Sequence, residues 1–168
     1  MGEGGEEGVS VAIESTSERL TKLIESGREV DEVMTEIEKL SEGKQLFAWA
    51  SVLSDRKVEE AEGEGGASCW DVGAMTLMDL DEEELRGKEY SSKELREALE
   101  DRMISLSERV NTTRIDKDRI RKEHAILRAD VVGIGFAFQL LREAEGLTFE
   151  QKKDLLTEQM SEGNQGKN

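Results

Sequence analysis

The 168-residue chain is 36% hydrophobic, 37% charged and only 4% aromatic, contains no proline, and carries 39 acidic against 23 basic side chains for a formal net charge of -16. So few aromatics and so much charge exclude a thick aromatic core of the sandwich or barrel kind. They suit helices with Leu, Ile, Val and Ala stripes, which the absence of proline leaves uninterrupted. A single cysteine, Cys69, excludes an intrachain disulfide framework and cysteine-rich metal sites, and the acidity disfavours non-specific binding to polyanions.

Residues 1–9 are glycine and glutamate around little else and read as a disordered tail without the charge and apolar run of a signal peptide. Residues 10–62 read as an N-terminal helical module. Ile13, Leu20, Leu23, Ile24, Val30, Val33, Met34, Ile37 and Leu40 recur at three- and four-residue intervals, with Gly27 dividing two helices and Gly43 stopping the second. KQLFAWASVLSDRKVEEA supplies a third, unusually apolar helix, whose Phe47 and Trp49 offer a surface for a second protein.

Residues 63–90 read as a linker opened by EGEGGASCW, with a short helix capped at Thr76 or Asp79. Residues 91–160 read as an assembly module. Its start is a capping box, with Ser91 as the cap and Glu94 three residues on.

A heptad seam then runs from Leu99 to Leu141. Leu99, Leu106, Thr113, Ile120, Leu127, Ile134 and Leu141 form one row, and Met103, Val110, Lys117, His124, Val131 and Phe138 the other. Ten of these thirteen positions are apolar. Sustained periodicity of this kind is the pattern of a coiled coil or long bundle helix, with Thr113, Lys117 and His124 tuning its register. The helix is expected to continue through Gly133 and Gly135, which weaken it but permit close approach by another helix. A final short helix is capped by Thr148 and Gln151. Its apolar residues Leu147, Phe149, Leu155, Leu156 and Met160 are expected to fold back on the preceding helix, and residues 161–168 form a second disordered tail.

The segment RIDKDRIRKEHAILR, residues 114–128, concentrates six Lys/Arg against three Asp/Glu. Arg114, Arg121 and Arg128 share one heptad position beside the seam, with Arg119 next to it. They are read as contacts to acidic partner surfaces, and alternatively to phosphate. Asp116, Asp118 and Glu123 among them, and the lack of neighbouring aromatics, disfavour nucleic acid. His124 has no cysteine nearby, Gly133-Ile134-Gly135 lacks the preceding strand of a dinucleotide fingerprint, and DLDEEEL lacks the ligand spacing of a calcium loop. No metal or cofactor is therefore expected. The apolar run Val131–Leu141 is about half the length of a membrane span.

The expectation is an all-α, cytoplasmic, non-enzymatic chain, with short N-terminal helices and a long C-terminal coiled-coil or bundle helix. It assembles as a homo-oligomeric scaffold or protein-interaction adaptor. The alternative is a nucleic-acid-associated adaptor of a viral or cellular ribonucleoprotein assembly.

Overall fold

The computed structural model describes residues 14–62, 67–112 and 117–165, with side chains described except at 67, 110–129 and 162–165. The described residues form seven α-helices and no strand: α1 (Thr16–Glu25), α2 (Val30–Glu38), α3 (Glu42–Glu60), α4 (Ala67–Asp79), α5 (Ser92–Thr112), α6 (Lys117–Glu145) and α7 (Phe149–Gln165). A π-helical turn, Leu80–Glu84, extends α4.

Helix boundaries follow local chemistry. Ser15 caps α1, its Oγ accepting from the Glu18 N–H at 3.1 Å. Gly27, at φ 78°, makes the turn between α1 and α2 that a side chain would strain. Both capping boxes form. The Ser91 Oγ accepts from the Glu94 N–H at 3.1 Å while the Ser91 N–H donates to Glu94 Oε1 at 3.2 Å. Thr148 and Gln151 repeat the exchange at 2.9 and 3.2 Å.

Helix α3 is the centre of the molecule. Leu46, Phe47, Ala48, Trp49, Ala50, Val52 and Leu53 are all buried, so its apolar residues wrap most of its circumference. A helix apolar on several sides must be covered on several sides, and α1, α4, α5, α6 and α7 all pack on it. Phe47 and Trp49 are consumed in this core, which corrects their expected role as a partner surface. One cluster runs from Leu20 to Met160 and joins the stretches read as separate modules.

Gly43 lies in the first turn of α3 and does not stop the preceding helix. Its N–H donates to the Tyr90 carbonyl at 2.9 Å, and a Cβ there would meet the backbone oxygens of Tyr90 and Ser91 at 2.5 and 2.6 Å. The glycine is therefore required by close packing.

Another correction concerns 67–84, where the expected linker is helical from Ala67 onward. Among the described residues, helix α4 makes its most extensive contact, and the most extensive between any two helices, against α6. Two glycines bring these helices together. A Cβ on Gly73 would lie 2.8 Å from the Phe136 Cβ and 3.1 Å from the Ala137 nitrogen, and one on Gly133 would lie 2.6 Å from the Thr76 Oγ1. Trp70 meets Phe136 edge-on beside this crossing, with ring centroids 4.6 Å apart, and the Lys57 ammonium covers Trp70 at 4.5 Å.

The π turn carries Asp81 inward. Only 2% exposed, its carboxylate accepts from the Thr16 N–H at 2.8 Å, the Ser17 N–H at 3.3 Å and the Tyr90 hydroxyl at 2.6 Å. The first two donors are orphan amides at the start of α1, where a negative charge also meets the favourable end of the helix dipole. Burial first, and then the bond to Asp81, push the Tyr90 hydroxyl pKa above the ordinary tyrosine range.

Helix α6 runs through both Gly133 and Gly135. The single long helix from Leu99 to Leu141 is corrected, however. α5 ends at Thr112, α6 begins at Lys117, and the two pack against each other. Met103 and Phe138 line one hollow, whereas about 35 residues of continuous helix would hold them about 52 Å apart. Finally, α7 packs across α1, α2 and α3. Leu155, Leu156 and Met160 are buried there, while Phe149 stays 56% exposed, contrary to its expected packing role.

Candidate functional site

Folding α5 back along α6 divides the heptad seam between the interior and the surface. Leu99, Leu106, Ile134 and Leu141 are buried in the chain's own core. Phe138 is half-buried, while Met103 and Val131 are 44% and 53% exposed. The side chains of Val110, Ile120 and Leu127 lie outside the described residues.

The exposed portion lines a groove of about 540 Å³ between the two helices. Met103, Leu106 and Ser107 form one wall, and Val131, Ile134, Gly135 and Phe138 the other. Ile104 and Val132, next in sequence to Met103 and Val131, are also exposed. Gly135 is open: a Cβ placed there would meet nothing within 4 Å. The contrast with Gly133 follows from helix geometry, because two residues advance about 200° around the axis. Gly133 therefore faces α4, and Gly135 faces the groove.

One polar hollow continues the groove at one end, and a second lies on the other side of α5. One hollow shares Gly135 and Phe138 and is bordered by Arg96, Glu100, Arg142 and Glu145. The other shares only the buried Leu106, faces Thr76 and Asp79 of α4, and is lined by Asp101, Arg102, Arg109 and Asp130. Most of the rim cations are already engaged. Arg96 pairs with Glu145, and Arg102 reaches Glu84 at 3.1 Å and Asp79 at 3.7 Å. Glu100, Asp101 and Asp130 form no ion pair with any described residue, and neither does Arg142. The hollow at the groove's end therefore holds one carboxylate, Glu100, and one guanidinium, Arg142, outside any ion pair among the described residues.

An apolar trough with polar borders between two helices can hold another helix by its nonpolar face. The periodicity of the seam contained Met103, Val131 and Phe138. Glu100 and Arg142 at the groove's border carried no sequence signal as a pair, since charged residues are abundant throughout the chain. Arg114 and the side chains of Arg119, Arg121 and Arg128 lie outside the described residues, as do those of Lys117 and His124.

Among the described residues no cluster of three or more His, Cys, Asp or Glu side chains is arranged to hold a metal ion. No described helix is long and apolar enough to cross a membrane. Comparison of the chain with protein-family models, curated proteins and solved structures finds no match.

Proposed function

We propose that the protein is a non-enzymatic interaction adaptor whose α5–α6 groove receives an apolar helix of another molecule. The observation that carries this reading is the groove itself: apolar side chains from two helices surround an unfilled trough with Gly135 open within it. Isolated exposed apolar residues are common, but a contiguous apolar patch with polar borders is characteristic of an interaction surface. Self-assembly is a second occupancy of the same groove. It is favoured by Met103, Val131 and Phe138, seam residues that remain at least partly uncovered.

The test uses a fluorescent amphipathic helical peptide of about 16 residues with a leucine face and an uncharged glutamine face, long enough to span the groove. The native full-length chain is expected to bind it saturably, and Val131→Glu and Gly135→Trp to weaken binding by about tenfold or more. Sedimentation of the chain alone measures self-assembly. A native chain that neither binds the peptide nor assembles at micromolar concentration refutes the adaptor reading.

A further inference from the structure

We infer that the occupant of the groove is a second copy of this chain, packed on it about a two-fold axis that runs along the trough. The inference rests on the adaptor reading and names its partner. The register of α5 against α6 carries it. The Arg96–Glu145 ion pair ties the two helices at one level. Glu100 stands four residues further along α5 and Arg142 three residues back along α6, rises of about 6 and 4.5 Å that leave the two at nearly one height. By the same count Met103 is level with Phe138 and Ser107 nearly level with Gly135, and all four line the trough. Glu100 and Arg142 are both exposed, border the hollow that continues the groove, and join no ion pair among the described residues.

Helix geometry turns these side chains the same way. At about 100° per residue, Glu100, Met103 and Ser107 fall within about 60° around α5, and Val131, Gly135, Phe138 and Arg142 within about 60° around α6. The uncovered face is therefore one surface, with an acid on one helix and a base level with it on the other. A two-fold axis along the trough lays α5 of each copy over α6 of the other without changing height. Glu100 then meets the partner's Arg142, twice in each dimer. Met103 lies over the partner's Phe138, a favourable sulfur–aromatic contact, and Ser107 crosses at the partner's open Gly135, where two small residues permit close approach. A two-fold axis across the trough exchanges its ends, setting Glu100 and Arg142 toward Ser107 and Val131 and leaving both charges unpaired. The charges thus select the arrangement in which the four helices form a parallel pair of hairpins.

Sedimentation of the full-length chain tests the inference in about 150 mM salt, where repulsion between two chains at -16 is screened beyond about 8 Å. The native chain is expected to sediment at about twice 18.8 kDa at micromolar concentration, and Val131→Glu as a monomer. Glu100→Arg and Arg142→Glu should each weaken the dimer about tenfold, because each sets like charges together at both symmetric contacts. An equimolar mixture of these two variants should recover the native dimer, since both contacts of the mixed pair again join opposite charges. Misfolded variants could not give that rescue. A native chain that stays monomeric at micromolar concentration overturns the inference. If that monomer binds the leucine-faced peptide, the adaptor reading stands with a different partner; if it does not, the adaptor reading fails as well. A dimer that survives Val131→Glu, or one that either charge reversal leaves unchanged, overturns the inference by placing the interface elsewhere or in another register. So do charge-reversed variants whose mixture stays monomeric.

Discussion

Replacing Gly73 and Gly135 separately by alanine should shift stability in opposite directions. Both glycines lie inside helices, so each replacement gains about 1 kcal/mol of helix propensity. At Gly73 the added Cβ would meet the Phe136 Cβ at 2.8 Å and two backbone atoms of α6 at 3.1 Å. Backbone atoms cannot rotate aside, so α4 and α6 must separate. Overpacking typically costs about 1–3 kcal/mol, and a cost near 3 at this crossing leaves Gly73→Ala destabilised by about 2 kcal/mol. Gly135→Ala meets no neighbour and should be stabilised by about 1 kcal/mol. For a chain of this size each kcal/mol shifts Tm by about 3 °C, giving changes of about -6 and +3 °C. Thermal melts followed by circular dichroism, with urea unfolding as a second measure, provide the assay. Equal shifts of the same sign would refute the proposed close crossing and the openness of Gly135.

Tyr90→Phe should cost about 2 kcal/mol by removing the buried hydrogen bond to Asp81. Burial, followed by that bond, holds the native Tyr90 hydroxyl protonated above its ordinary range. The unfolded tyrosine loses its proton near pH 10, so its contribution is full below pH 10 and falls as pH rises above it. Urea midpoints at about pH 8 and 11 should show this loss in the native chain and a smaller one in Tyr90→Phe. Absorbance at about 295 nm follows the chain's single tyrosine directly. Leu99→Ala should cost about 3 kcal/mol and Met103→Ala less than about 1 in urea unfolding, since one is fully buried and the other 44% exposed. Comparable losses would contradict the assignment of Leu99 to the core and Met103 to the groove. Val131→Glu should leave the circular dichroism spectrum near native while abolishing peptide binding or self-assembly, because its site is already 53% exposed.

The helical class was legible because its signals are local. Ser91 with Glu94, Thr148 with Gln151, and Gly27 between two amphipathic stretches each mark a helix boundary through nearby atoms. The return of α6 along α5 was not legible. A heptad pattern records which face of each helix is apolar, and this is the same for one long helix as for two antiparallel ones. The intervening residues, Thr113-Arg114-Ile115-Asp116, contain neither glycine nor proline to mark a break. Helix α4 was obscured by the opposite effect. The glycines of EGEGGASCW, which suggested a loop, lie outside the described residues, whereas Gly73 stands within α4 and makes room for α6. Asp81 was hidden among acidic neighbours, because two of its three donors, the Thr16 and Ser17 amides, come from residues distant in sequence.

The candidate site was partly written in Val131-Val132-Gly133-Ile134-Gly135, where alternating contacts divide one helix between interior and surface. Gly133 offsets its weak helix propensity by admitting α4, and Ile134 beside it is buried. Gly135 has the same backbone cost of about 1 kcal/mol but makes no compensating contact within the chain. In the adaptor reading, that compensation comes from a helix lying across the groove. The neighbouring Val131 contributes in the same way, since it adds little packing while exposed and gains apolar contact when covered. The two proposed effects act on the same face of α6, so filling Gly135 from within by tryptophan should mimic part of the occupied packing while excluding the partner. A more stable Gly135→Trp chain with weakened peptide binding would connect these effects. Destabilisation with unchanged binding would separate them and place the docking surface elsewhere.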